Sequence, residues 1–275
     1  MTNHFKQKSA IQTTVISVAE LAAREAGQIL RELWLQPQEV VYKGVRDPVT
    51  PADFAAQKRI RQIVSEHFPK HEFLGEEVSE GEDAAVEQLS LDAPVWIVDP
   101  IDGTSNFSRQ IPLFSISIGV AFEGIIEAGV IYDPLRDELF SAVRGQGATR
   151  NGARLSVSRT SDLDKGFVAL DWGHLRAQRT HTLAMLERLA HKVQTLRTIG
   201  SAALALAWIA AGRLDGYINV GLKPWDIAAG SLLISEAGGA MSQLDGRPWN
   251  WRQPNLAGLA SNRALHKRLY EILAG

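Results

Sequence analysis

The sequence predicts a mixed fold, α+β in its first half and α/β in its second. Three observations carry this expectation. Val15, Ile16, Val18, Leu21, Ala22, Ala26, Ile29, Leu30 and Leu33 recur at helical spacing, which predicts a long amphipathic helix at the start. Residues 114–122, 125–132 and 138–143 are strand-like runs joined at Glu123-Gly124 and Asp133-Pro134, an antiparallel meander. After Phe167 the period changes, and short strands alternate with helices, as in a second sheet layered with helices.

In chain order, Tyr42 to Pro48 reads as a turn-rich link. Thr50-Pro51-Ala52-Asp53 reads as a helix start, with Thr50 as the cap, Pro51 in the first turn and Asp53 at capping-box spacing. That helix should run towards His67 and stop before Pro69. Phe73 to Glu77 is an extended piece ending in paired acids, and the acidic stretch from Ser79 to Glu87 reads as an exposed loop. Val95 to Val98 is a buried strand, and Asp99-Pro100-Ile101-Asp102-Gly103 is its terminating turn, because Pro100 lacks an amide hydrogen. The glycines from Gly145 to Gly152 suggest a boundary that divides the chain into an N-terminal lobe (1–150) and a C-terminal lobe (151–275). Beyond it come strands near 167–170, 193–199, 214–220, 240–244 and 256–260, with helices near 176–190, 201–211 and 226–236 and at the end.

The bulk properties narrow the function classes. With 275 residues, 45% hydrophobic and 22% charged, the chain can bury a large core. A net charge of −2 with no Lys/Arg block argues against nucleic acid as the main partner. There is no cysteine, which excludes disulfides, thiolate metal sites and a thiol nucleophile. The first residues hold no apolar core of signal-peptide length, and the apolar run 202–211 is shorter than the roughly 20 residues of a membrane span. The expectation is a soluble, cytoplasmic protein with no membrane partner. His67 and His71 straddle Pro69 and read as surface residues.

The acids carry the chemistry. Each has a plain structural reading: Asp99 and Asp102 as turn formers, Asp53 as part of a cap, Glu76-Glu77 as the start of a solvated loop, Asp226 as a helix N-cap. Together they stand where strands or links meet turns and helix starts, the end of a layered α and β fold at which sites are built. Two carboxylates ~4 Å apart repel by about 4 kcal/mol at an effective dielectric of ~20, so a converging cluster needs divalent cations or bound protons. An all-oxygen donor set suits Mg²⁺, Mn²⁺ or Ca²⁺.

Gly75-Glu76-Glu77, Asp99-Pro100-Ile101-Asp102-Gly103-Thr104 and Pro224-Trp225-Asp226, in that order, resemble the inositol monophosphatase family, the lithium-sensitive, magnesium-dependent phosphatase superfamily. Val49-Thr50-Pro51-Ala52-Asp53, Gly147-Ala148, Asn151-Gly152, Gly200-Ser201-Ala202-Ala203 and Glu236-Ala237-Gly238-Gly239 extend the likeness over nearly the whole chain. The resemblance implies a layered αβαβα sandwich, commonly a homodimer, in which an N-terminal antiparallel sheet and a C-terminal mixed sheet are stacked. It implies that Glu76, Asp99, the Ile101 carbonyl, Asp102 and Asp226 hold two or three Mg²⁺ ions, with Glu77 and Asp53 in the outer or third-metal shell. Glu76 and Thr104 would orient and deprotonate the attacking water, Asp53 would poise Thr104, and amides near Gly103 and Thr104 would receive the phosphate.

The substrate wall is where this chain departs from the pattern. Asn219 stands where inositol-preferring members carry a glutamate, and it keeps hydrogen-bonding capacity without the charge. Ala202 and Ala203 would shape the wall, and Asp171 would add a polar contact. Inositol monophosphate is the first expectation; histidinol phosphate, a sugar (bis)phosphate and a nucleotide phosphate are alternatives, as is a non-catalytic, partner-binding role on the same fold.

Overall fold

The computed structural model describes residues 2–77, 86, 89–90, 93–253 and 256–274. The loop expected from Ser79 to Glu87 therefore lies, Val86 apart, outside the described residues. The chain opens with α1 (Thr2–Leu33), a hairpin of β1 (Val41–Gly44) and β2 (Asp47–Val49), then α2 (Pro51–His67). It continues through β3 (Glu72–Gly75), β4 (Val95–Asp102), the short α3 (Thr104–Ser108), β5 (Ser115–Phe122), β6 (Ile125–Asp133), β7 (Glu138–Val143), β8 (Gly147–Arg150) and β9 (Ala153–Arg154). The remainder is β10 (Phe167–Leu170), α4 (Arg176–Ala190), β11 (Thr195–Arg197), α5 (Ala202–Ala210), β12 (Gly216–Leu222), α6 (Pro224–Glu236), β13 (Ala240–Gln243), β14 (Leu256–Ser261) and α7 (Arg263–Ala274).

Strands β3 to β9 form one seven-stranded sheet in sequence order, antiparallel except for the parallel pair β3–β4. The other sheet runs β11-β10-β12-β14-β13, with β10 parallel to both its neighbours and the β12–β14 and β13–β14 pairs antiparallel. Alternation along each strand decides what lies on its faces. Trp96, Val98, Ile116, Ile118 and Val130 turn outward onto α1 and α2, whereas Ile97, Ile131 and Phe140 turn inward onto α5 and α6. Tyr217 and Ala260 of the five-stranded sheet meet the same inner helices, and Val168, Ile218 and Leu259 pack against α4 and α7. The result is the αβαβα sandwich.

Helix α6 lies close against the seven-stranded sheet because Gly119 and Gly129, paired across β5 and β6, present no side chain. A Cβ on Gly129 would come within 3.0 Å of the Ala229 backbone. That seat sets the depth at which the first turn of α6 meets the end of β4.

Several local expectations need correction. The link at 42–48 is the β1–β2 hairpin, whose turn holds Arg46 at φ 62°. Strand β4 does not end before Pro100. It runs to Asp102 through a bulge: Asp99 pairs with Ser117 and Asp102 with Ser115, three steps against two, and the bulge accommodates a proline without an N–H. The glycine-rich stretch adds two more strands, β8 and β9, to the sheet. His71 is not a free surface residue: it stacks on Phe68 at 4.5 Å and accepts the Trp96 indole N–H at 3.0 Å.

Candidate metal centre and active site

The bulge in β4 decides the geometry. Continuous pairing would place Asp99 and Asp102 on opposite faces, three residues apart in a period of two; the extra residue lets both reach one side. Asp226 joins them from the third position of α6, not from the cap, which is Lys223. Its Oδ2 accepts the Lys223 amide at 2.7 Å. Asp99, Asp102 and Asp226 each offer a carboxylate oxygen within 4.8 Å of the others.

Asp99 and Asp102 differ in what surrounds them. Asp99 Oδ1 accepts one amide, that of Ile101 at 3.0 Å. Burial and the charges of Glu76, Asp102 and Asp226 hold its pKa well above the usual carboxylate range. Asp226 is raised in the same way, by burial and then by Asp102 and Glu76. Asp102 instead meets the start of α5, with Oδ1 on the Ala202 amide at 3.1 Å, Oδ2 on the Ala203 amide at 2.8 Å, and the Ser201 hydroxyl donating to Oδ2. Burial still pushes Asp102 up, but those donors hold it to about 6.

Asp53 performs two tasks. Its Oδ2 closes the α2 cap, accepting the Thr50 amide at 2.8 Å and hydroxyl at 2.6 Å. Its Oδ1 lies 2.9 Å from the Thr104 hydroxyl, which is also 3.0 Å from the Ile101 carbonyl. One hydroxyl proton thus faces two acceptors. Burial, partly opposed by the Thr50 and Thr104 hydrogen bonds, pushes Asp53 up to about 6. Gly103, between Asp102 and Thr104, has φ 103°, and a Cβ there would approach the carbonyls of Gly200 and Leu113 to 3.0 Å, so only glycine fits.

Glu76 and Glu77 share the Lys43 ammonium, 2.9 Å from Glu76 Oε1 and 2.8 Å from Glu77 Oε1. Burial lowers the Lys43 pKa, but the two glutamates outweigh it and hold it above its ordinary value. Burial and the charge of Glu76 lift Glu77 to about 7, against the pull of Lys43. Glu77 Oε2 is buried without a hydrogen-bond partner. Gln57 fixes the Glu77 backbone, accepting its amide at 3.0 Å and donating to its carbonyl.

The wall residues stand further along. Asp171 is buried, with Oδ1 on the amides of Ile199 (3.0 Å) and Gly200 (2.9 Å) and Oδ2 on the Tyr217 hydroxyl (3.1 Å). Asn219 donates to the Tyr217 oxygen at 2.8 Å. Ala202 lines the turn that holds Asp102, whereas Ala203 is fully buried in the core between the sheets. Sequence reasoning gave no site role to Lys43, Ser201 or Gln57. Gln57 carried a signal, a polar residue at i+4 from Asp53 on an otherwise apolar helix face; Lys43 lies 33 residues from Glu76 and carried none.

The donor set is all oxygen, converging and short of positive charge, and a buried glutamate oxygen lacks a partner, so these residues fit a hard divalent cation. A model of the inositol monophosphatase family matches residues 11–274. The chain belongs to that family. Inositol monophosphatase 1 of Solanum lycopersicum is 39% identical over 262 residues, 94% of either chain. Nus factor SuhB of Escherichia coli K12 is 40% identical over 237 residues, 84% of this chain and 86% of that one. The crystal structure of extragenic suppressor protein suhB from Bartonella henselae superposes with a TM-score of 0.85 at 38% identity, covering 94% of this chain and 98% of the other. Among the described residues of this family member, no helix is long and apolar enough to cross a membrane.

Proposed function

We propose that the chain is a Mg²⁺-dependent phosphomonoesterase that hydrolyses a small polyol phosphate, inositol monophosphate first. The observation that carries this reading is the convergence of Asp99, Asp102 and Asp226 within 4.8 Å. The Asp53–Thr104 pair adds to it, with Thr104 two residues beyond Asp102 and Asp53 in the first turn of α2. Glu76, Asp99, the Ile101 carbonyl, Asp102 and Asp226 would hold the cations, with Glu77 in an outer position. When bound, divalent cations neutralise the phosphate charge and acidify water. The protein's part is to orient and to accept protons. Thr104 Oγ1, held by Asp53, positions the attacking water, and the Glu76 carboxylate takes its proton. Water attacks phosphorus in line, the bond to the alcohol oxygen breaks, that oxygen takes a proton from solvent water, and Glu76 returns its proton to solvent, without a covalent enzyme intermediate. Amides at Gly103 and Thr104 receive the phosphate, and Ala202, Asn219 and Asp171 shape the alcohol side.

In this reading the protein acts in the cytoplasm as a homodimer. A panel of inositol, histidinol, sugar bisphosphate and nucleotide phosphates, assayed for phosphate release with and without Mg²⁺, tests it. Mg²⁺-dependent release from the inositol ester above the others is expected. A second reading, a partner-binding protein in which catalysis is secondary, draws on the relative named Nus factor SuhB. Silence of the folded protein across the whole panel favours that reading and sinks the first.

A further inference from the structure

The Asp171–Tyr217–Asn219 chain of hydrogen bonds has only one consistent arrangement of donors. An ionised carboxylate only accepts, and Asp171 already takes the amides of Ile199 and Gly200. The Tyr217 hydroxyl must therefore give its single proton to Asp171 Oδ2. Burial and the charge of Asp171 hold the phenol well above its ordinary pKa, so that proton stays in place. With its proton committed, the Tyr217 oxygen can only accept, and only the NH₂ end of Asn219 can approach it. The amide is thereby turned with Oδ1 directed away from Tyr217, and among the described residues no protein donor reaches that oxygen.

The position is tied to the acid cluster. Tyr217 and Asn219 are two apart on β12 and share a face, the face that meets α5 and α6, while Ile218 points to the opposite layer. Asp171 holds the amides of residues 199 and 200, and the next three residues hold Asp102.

We infer that Tyr217 and Asp171 are positioning residues that lock the Asn219 amide with its carbonyl oxygen towards the substrate, so that the site selects phosphate esters whose alcohol part carries a hydroxyl able to donate a hydrogen bond. This rests on the phosphatase reading above. Asn219 then keeps the acceptor that a glutamate would offer and omits its charge.

The test is the ratio of kcat/KM for inositol 1-phosphate to that for p-nitrophenyl phosphate, an ester with no alcoholic hydroxyl, measured with Mg²⁺. Asn219→Leu removes the acceptor and should lower the ratio about tenfold, while Asn219→Asp, which retains only acceptors, should keep it within about threefold of the wild type. Tyr217→Phe frees the amide to turn and should lower the ratio roughly fivefold, and the double variant Y217F/N219L should fall no lower than N219L alone. A ratio unmoved in Y217F, or N219D as low as N219L, overturns the inference while leaving the phosphatase reading intact. If Y217F does not fold, the N219D to N219L comparison still decides the polarity. Hydrolysis of neither ester by the wild type overturns the phosphatase reading and this inference with it.

Discussion

Asp99 and Asp171 are both buried aspartates at or near a strand's carboxyl end, and the fold treats them oppositely. Around Asp171 each oxygen meets donors: two backbone amides on one, the Tyr217 hydroxyl on the other. Burial still raises its pKa, but all three donors pull against that rise. Around Asp99 a single amide donates, and Glu76, Asp102 and Asp226 press their charges on the same space. A carboxylate supplied with donors is part of the frame. One that faces other carboxylates is a site prepared for a charge the protein itself does not provide, and it is kept at the expense of stability.

The sharpest way to break this contrast is the same substitution at both places. Asp99→Asn retains the oxygen that accepts the Ile101 amide and removes one of the converging charges. Its Mg²⁺-dependent turnover should fall by about a thousandfold or more, an effect of about 4 kcal/mol on the barrier. In EDTA at pH 8 it should melt above the wild type, because a repulsion has been relieved. Near-normal turnover, or a lower melting temperature in EDTA, would remove Asp99 from the metal site.

At Asp171 the sign should reverse. Asp171→Asn leaves the Tyr217 proton without an acceptor and sets two amide groups against one phenol oxygen, while Asp171→Leu also strands the amides of Ile199 and Gly200. Urea unfolding should show losses of about 1 kcal/mol for the first and about 3 kcal/mol for the second. Stabilisation by both Asn variants in EDTA would mean that the two aspartates do not differ in kind.

How much of this was legible in the sequence follows from which signals are local. The β5–β7 meander, β10 and α4 were readable because period and turn residues suffice; Glu123 and Gly124, both at positive φ, form the turn where it was expected, although only the glycine favours that conformation. Pro100 misled, because whether a proline ends a strand or sits in its bulge depends on the partner strand, here Ser115 and Ser117 of β5. The β1–β2 hairpin was missed because it is short and lies mostly at the surface, so no apolar face marks it. In the site, the acids were visible from their places beside turns and helix starts. Which of them would receive donors was not, since the groups that hold Asp102 lie about 100 residues away.

The acid cluster should also show itself as a pH dependence that a cation abolishes. Asp53 and Asp102 are raised to about 6 and Glu77 to about 7. Their unfolded values lie near 4. A carboxyl group with a higher folded pKa keeps its proton longer in the folded state, so its contribution to stability is complete below about pH 4 and is lost as pH rises through 6 to 7. In EDTA the melting temperature should therefore fall between pH 5 and pH 8, by several degrees if about 2 kcal/mol is involved. Millimolar Mg²⁺ should flatten the slope by binding the ionised form. A slope that survives Mg²⁺ unchanged would place the titrating groups outside the cation site.

Lys43 gives the smallest and most discriminating effect, because it is the protein's own partial answer to the missing charge. Its ammonium reaches Glu76 and Glu77 at 2.9 and 2.8 Å, and Glu77 keeps one oxygen unpartnered even so. A cation drawn to these carboxylates must share them with, or displace, a positive charge already there. Lys43→Met removes the competitor, so the Mg²⁺ concentration for half-maximal phosphate release should fall about threefold to tenfold, by no more than about 1.4 kcal/mol. The metal-free protein should lose stability at the same time, since Glu76 and Glu77 then face each other without a counter-charge. If the Mg²⁺ requirement rises instead, Lys43 assists the loaded site, and the glutamates, like Asp171, belong to the frame.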